Sequence, residues 1–162
     1  MDGSAGALRP LDEAAEAIDR LESYETTAEL ASAIETVRAA VERALRLRLR
    51  SEPSAPDSDR LSAMSRDLPA DEIVRRLRTR DLISLETAGS VHELEAAGTR
   101  ARAGDPRPSD ADVALRAAAR LREAADRLAA FKLRRPGHRR TPGAMAALSA
   151  PMAGYSARRI NP

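Results

Sequence analysis

The segment from residue 109 to residue 133 spaces its apolar side chains as an amphipathic helix does. Successive apolar positions lie three or four residues apart, at Val113, Ala117, Leu121, Ala124, Leu128 and Phe131. A strand would instead alternate apolar and polar residues at every second position. Ser109 and Asp110 offer a capping-box-like start, and Pro136 and Gly137 prevent helix beyond about Leu133. The pattern therefore predicts a helix that buries one face.

Three earlier segments show the same spacing together with signals for helix starts. Thr26 and Glu29 match a capping box, in which each side chain bonds the other residue's backbone amide. Pro69 stands where a first helical turn tolerates proline. The predicted helices cover residues 11–21, 27–50 and 70–80.

Residues 81–104 are expected to form the central core helix. Their apolar positions recur at helical spacing, at Leu85, Ala88, Val91, Leu94 and Gly98. The helix should end before Pro106 and Pro108, in a small segment that contains Arg100 and Arg102. This junction is the first place where the sequence suggests a site.

The composition favours helices packed on helices. Hydrophobic residues make up 43% of the 162 residues, but aromatic residues make up only 2%. A core of Leu, Val, Ile and Ala suits helix packing, whereas a sheet usually has more β-branched and aromatic residues. The length fits one domain. We therefore expect an all-α domain over residues 11–133.

The run of alternating Leu and Arg at residues 45–50 is ambiguous. Alternation is typical of a strand, but within this helical context a helix with a wide apolar face is the preferred interpretation. Leu47 needs a cover, which the following linker, a second copy of the chain or a partner could supply. Because Leu47 and Leu49 are hard to bury together with Leu45 on one face, both are candidate contacts of a homodimer. Residues 51–59 read as a loop, and residues 60–66 as one or two helical turns.

The two ends of the chain differ from its body. Residues 1–10 are small and are predicted to be a flexible N-terminus, whereas residues 134–162 form an irregular basic tail rich in Pro, Gly and Ala. From Ala129 onward there are seven basic residues and no acidic one, so the overall charge of +2 leaves the first 128 residues at −5. Such asymmetry suggests a tail that meets an acidic partner or a nucleic acid. The candidate partner-binding residues are Arg134, Arg135, Arg139, Arg140, Leu148, Tyr155, Arg158 and Arg159.

Several kinds of chemistry lack their residues. The chain has no cysteine, which excludes disulfides, thiolate metal sites and cysteine nucleophiles. Its two histidines, His92 and His138, lie far apart in sequence and match no metal-binding spacing. No phosphate-binding glycine loop and no run long enough for a membrane span is present. We expect a cytoplasmic protein with no cofactor, no metal and no membrane contact.

The segments VERALRLRLR (residues 41–50) and RLRTRDLISLETAGSVHELEAAGTRARAGDPRPSDADVALRAAARL (residues 76–121) resemble the HEPN family of helical domains. The resemblance covers residues 11–128 and is strongest over residues 82–121. It implies an antiparallel four- or five-helix bundle, often a homodimer. It also implies a place where active members carry the Arg and the His that cleave RNA.

This chain departs from that motif at both catalytic positions. Gly98 and Thr99 stand where the resemblance places an Arg and a polar residue, and Ala103 stands where it places the His. Arg100 and Arg102 remain candidate phosphate contacts, but neither titrates near neutrality to move a proton. The sequence therefore predicts a protein without ribonuclease activity.

The leading hypothesis is a non-catalytic helical interaction module that engages a larger partner or assembly through its arginine-rich tail. One alternative is a HEPN-type RNA-binding or ribonuclease toxin-like protein whose motif has drifted. Another is a structural subunit of a multiprotein assembly. A protein partner or a homodimer is expected, and nucleic acid is a further possible partner through the tail.

Overall fold

The computed structural model describes the backbone of residues 3–52, 56–58 and 68–134, and the side chains of residues 6–52, 56–58 and 68–130. Helices with defined bounds are α1 (Gly3–Glu13), α2 (Ala15–Ser23), α3 (Thr27–Ser51), α4 (Ala70–Thr79), α5 (Leu85–Arg102) and α6 (Pro108–Arg134). No residue of the described ranges lies in a strand. The predicted all-α bundle is confirmed. The turns expected at residues 60–66 and the irregular tail lie outside the described residues.

Two compact units divide the chain, Met1–Ala130 and Phe131–Pro162. The first unit holds the bundle, and its core consists of Leu, Ile, Val and Ala side chains from α1 to α6. Of the second unit, the structure describes only the helical backbone of residues 131–134.

The N-terminus differs from the prediction of a flexible segment. Residues 3–10 are helical and belong to α1, which packs mainly against α3. Ala7 and Leu11 are buried, and this burial of apolar side chains favours a helix at these residues. The single helix predicted over residues 11–21 is divided at Ala14 into the end of α1 and the start of α2, although the Ala14 amide still donates to the Pro10 carbonyl at 3.2 Å.

The central helix of the bundle is α3, not the helix over residues 81–104. Contacts join α3 to α1, α2, α4 and α5. Its buried positions are Leu30, Ala33, Ile34, Val37, Ala40, Val41, Ala44, Leu45 and Leu49. The predicted capping box is present, because Thr26 Oγ1 accepts from the Glu29 amide at 3.1 Å and the Glu29 carboxylate accepts from the Thr26 amide at 3.2 Å. The 45–50 run is helical, as predicted.

Two core predictions need correction. Leu85, expected on the buried face of α5, is 67% exposed because it lies in the first turn beside the Ser84 cap. In α6 the buried side is built mostly from alanine, at Ala111, Ala114, Ala117, Ala118 and Leu121. Val113, Ala124 and Leu128 are only partly buried, and the side chain of Phe131 lies outside the described residues. Val113 and Leu128 thus lie at the edge of the buried side of α6, and the small alanine side chains within that side allow close helix packing.

Candidate functional site

The junction between α5 and α6 is held by an ion pair buried on its acidic side. Arg100 donates through Nε to Asp110 Oδ2 at 3.1 Å and through Nη2 to Asp110 Oδ1. Asp110 also accepts from the backbone amide of Arg107 at 2.8 Å, which closes the start of α6. The Asp110 side chain is 1% exposed. Arg100, predicted as a phosphate contact, therefore uses two of its donors on a buried carboxylate of its own chain, and its contact with phosphate stays a prediction.

The same contacts set the protonation of Asp110. Hydrogen bonding from Arg100 lowers the pKa of the Asp110 carboxyl, and the amide of Arg107 lowers it further, although burial opposes both effects. Asp110 in turn raises the pKa of Arg100. The pair is consequently fixed in its charged form at neutral pH.

Arg102 is likewise engaged within the chain. Its Nη1 donates to Glu35 Oε1 at 2.9 Å and to Glu35 Oε2 at 3.1 Å, and its Nη2 donates to Thr99 Oγ1 at 3.3 Å. These bonds connect the end of α5 to the middle of α3. The hypothesis of a free phosphate-binding pair at Arg100 and Arg102 is therefore not supported by their geometry.

Gly98 on α5 leaves space for the side chain of Arg38 on α3. A Cβ atom at Gly98 would overlap Arg38 Cδ and would lie 2.7 Å from Glu35 Oε1. Arg38 lies against Gly98 and pairs with Glu35 at 3.0 Å, with Glu42 at 3.2 Å and with Glu95 of α5 at 3.5 Å. A half-buried row of ion pairs thus joins α3 to α5.

The remaining polar candidates do not form an organised centre. His92 is exposed on α5, and its neighbour Glu93 pairs with Arg116 of α6 at 3.4 Å. A polar cleft of about 490 Å³ near Asp81 is lined by both signs of charge, including Glu86, Arg120, Glu123 and Arg127. Among the described side chains, no group of three or more His, Cys, Asp or Glu residues is placed to hold a metal ion.

A groove of about 390 Å³ lies between α1 and α3, and we call it the α1–α3 groove. Its lining residues are Arg9, Pro10, Glu13, Arg43, Arg46, Leu47 and Arg50. Pro10 and half-buried Leu47 give it an apolar floor. Four arginines against one glutamate give the lining a net charge of +3. The groove is thus a basic patch on an acidic body.

The arginines of the groove differ in how far they are neutralised. Arg9 pairs with Glu13 at 3.0 Å, and Arg43 lies 3.9 Å from the same carboxylate. Arg46 bonds to Glu42 at 2.7 Å and to the carbonyl of Leu68. Arg50 is exposed and forms no ion pair with any residue that the structure describes. Arg43 and Arg50 are therefore the cations best placed to meet an external anion.

Sequence reasoning found only part of this groove. Leu47 was expected to need a cover, and it forms part of the floor. Leu49, the other predicted dimer contact, is 0% exposed within the chain itself and is not available for a partner. The missed signal is the spacing of Arg43, Arg46, Leu47 and Arg50, which puts them on one side of α3.

The side chains of the predicted tail site lie outside the described residues. Arg134 is the last residue of α6, and its side chain is outside the described set. Beyond the described residues lie Arg135, Arg139, Arg140, Leu148, Tyr155, Arg158 and Arg159. The tail therefore stays a prediction from charge and composition.

No family model, no curated protein and no solved structure matches this chain. The resemblance to the HEPN family accordingly remains a prediction. In the part of the chain that the structure describes, no helix combines the length and the apolar character needed to cross a bilayer.

Gly98→Ala tests the close contact between α3 and α5, with Gly89→Ala in the same helix as the matched control. Nothing lies within 4 Å of a Cβ at Gly89, so that change should raise the free energy of unfolding by about 0.5–1 kcal/mol through helix propensity. Gly98→Ala must displace Arg38, and overpacking costs about 1–3 kcal/mol. Urea unfolding should therefore rank Gly98→Ala below both wild type and Gly89→Ala.

Arg38→Ala removes the closest overlap, so Gly98→Ala should destabilise the Arg38→Ala background less than it destabilises wild type. Equal stability of the two single glycine variants would contradict the close contact.

Asp110→Asn tests the ion pair at the α5–α6 junction. Removing a charged partner of a hydrogen bond costs about 1–3 kcal/mol, and the partial exposure of Arg100 places the loss in the lower half of that range. Because the folded-state pKa of Asp110 is lowered, its stabilisation is complete above the unfolded value of about 3.9 and is lost as pH falls through the folded value. The difference between wild type and variant in urea unfolding should be constant above about pH 5 and should shrink below about pH 4.

Asp112→Asn, at an exposed position of α6, is the control and should cost little at any pH. A difference between wild type and Asp110→Asn that does not change with pH would contradict the assignment.

Proposed function

We propose that this protein is a non-catalytic helical interaction module that binds an acidic partner protein. The observation that carries the proposal is the α1–α3 groove, in which an apolar floor is bordered by arginines. An apolar centre surrounded by charged residues is the usual anatomy of a protein-binding surface, and arginine is enriched there. The basic tail is proposed as a second contact with the same partner.

The residues that line this groove favour a protein partner over RNA. Its cations border an apolar floor of Pro10 and Leu47, and its lining contains no aromatic side chain on which a base could stack. The arginines that the HEPN resemblance suggests for phosphate, Arg100 and Arg102, are paired with Asp110 and Glu35. RNA binding is therefore the second candidate, through the tail, and assembly into a larger structure is the third.

Affinity capture from the source cell tests the proposal. Four baits are compared: the intact chain, a chain without residues 134–162, Leu47→Asp and the control Leu85→Asp. Leu85 is an exposed leucine outside the groove, so the two aspartate variants carry the same chemical change. A buried apolar contact at an interface is worth about 1–2 kcal/mol, and Leu47→Asp should weaken binding of the captured protein about tenfold.

We expect a captured protein that stays bound after nuclease treatment. The Leu85→Asp bait should capture it as the intact chain does, and the Leu47→Asp bait and the bait without the tail should capture less of it. Circular dichroism of each bait should show unchanged helix content. A captured species that disappears with nuclease would favour the RNA alternative. A protein captured equally by all four baits would refute both proposed contacts.

A further inference from the structure

The α1–α3 groove also restricts the backbone conformation of whatever segment it binds. It lies between two helices, and its walls are side chains. Within the described residues no sheet edge exists to pair with an extended peptide. A segment bound here gains no backbone pairing from a sheet edge, which favours a helix, because a helix satisfies its own backbone hydrogen bonds.

A polyproline-type segment also fits poorly. Recognition of proline-rich peptides uses grooves lined with aromatic rings, and the lining here contains none. By contrast, helices commonly bind by laying an apolar stripe into a groove between two other helices. Half-buried Leu47 is the main apolar side chain that such a stripe would contact, because Pro10 beside it is buried.

The positions of the charges define the rest of the pattern. Arg43, Leu47 and Arg50 lie on one side of α3 at relative positions 1, 5 and 8, so the two arginines are separated by about 10 Å along the axis. Arg9 borders the groove from α1. A helix that fits would carry Asp or Glu on both sides of its apolar stripe, one or two turns apart, as flanking charges do in helical coiled coils.

We propose that the partner segment is an acidic amphipathic helix that lies along the α1–α3 groove. This inference rests on the proposed interaction function and names the partner's secondary structure and charge. The apolar stripe contacts Leu47, and the flanking carboxylates pair with Arg43 and Arg50. Glu13 competes for Arg9 and Arg43, so the carboxylates of the segment gain most from Arg50.

Fluorescence anisotropy on the full chain tests this inference with four labelled probes. The first is a panel of 20-residue helical peptides with an apolar stripe flanked by Glu. The second carries the same sequences with two central residues replaced by Pro, and the third carries Lys in place of every Glu. The fourth is a single-stranded RNA of 20 nucleotides.

The helical acidic peptides should bind, and the proline-containing versions should bind at least tenfold more weakly, because proline breaks the helix. The Lys versions should show no binding to the groove. Arg50→Glu should weaken the acidic peptides about tenfold, whereas the control Arg78→Glu, at an exposed position of α4 outside the groove, should change little. Leu47→Asp should weaken them to a similar degree as Arg50→Glu.

Equal binding of helical and proline-containing peptides would overturn the inference, and so would binding of the RNA alone or of none of the peptides. The capture experiment does not presuppose a helix. A protein captured through Leu47 together with failed helical peptides would therefore reject the helix and leave the interaction function standing.

Discussion

The burial of one side of α3 is the constraint on which the rest of the bundle depends. Nine of its residues, from Leu30 to Leu49, are buried against α1, α2, α4 and α5. With aromatic residues at only 2% of the chain, the core gains its apolar area from many aliphatic contacts and from alanine faces that let helices approach closely. Because α3 is enclosed by partners on its apolar side, most of its charged residues lie at the borders of that side. Arg48 is an exception, because its Nε is buried and has no hydrogen-bond partner among the described atoms.

Those two borders have different consequences. Toward α5, Glu35, Arg38, Glu42 and Arg46 form a row of half-buried ion pairs with Glu95 and Arg102, and Gly98 provides the space for it. Desolvation offsets much of the attraction in such half-buried pairs, so they add less stability than their number suggests. Toward α1, the lining of the α1–α3 groove contains four arginines and one glutamate, Glu13. This excess of positive charge is the feature that the proposed acidic partner would contact.

Local sequence signals predicted much of the fold. The bounds of α3 and α4 follow from the Thr26 capping box, Pro69 and regular apolar spacing, because these signals act within one or two helical turns. What the sequence could not reveal depends on contacts between distant residues. The sequence shows no partner for Arg100 or Arg102, but in the fold Asp110 pairs with Arg100 and Glu35 of α3 pairs with Arg102. The small residues at 3–10 predict a flexible segment, but in the fold Ala7 is buried. On α6, Ala117 and Leu121 are buried as predicted, but the buried side also includes Ala111, Ala114 and Ala118, which apolar spacing built on larger residues did not select. The α1–α3 groove was missed because one of its walls comes from α1, which is separate from α3 in the sequence.

Site-specific photo-crosslinking would test most directly the claim that the α1–α3 groove is the partner-binding surface. A photoreactive benzoylphenylalanine replaces Leu47 in the full chain, and a second chain carries it at Leu85, which is exposed but lies outside the groove. On irradiation in the source cell, the account predicts one dominant protein adduct from position 47, absent from position 85, whose crosslinked peptide is acidic and amphipathic. Adducts to RNA or to a second copy of the chain, or the same adducts from both positions, would contradict it.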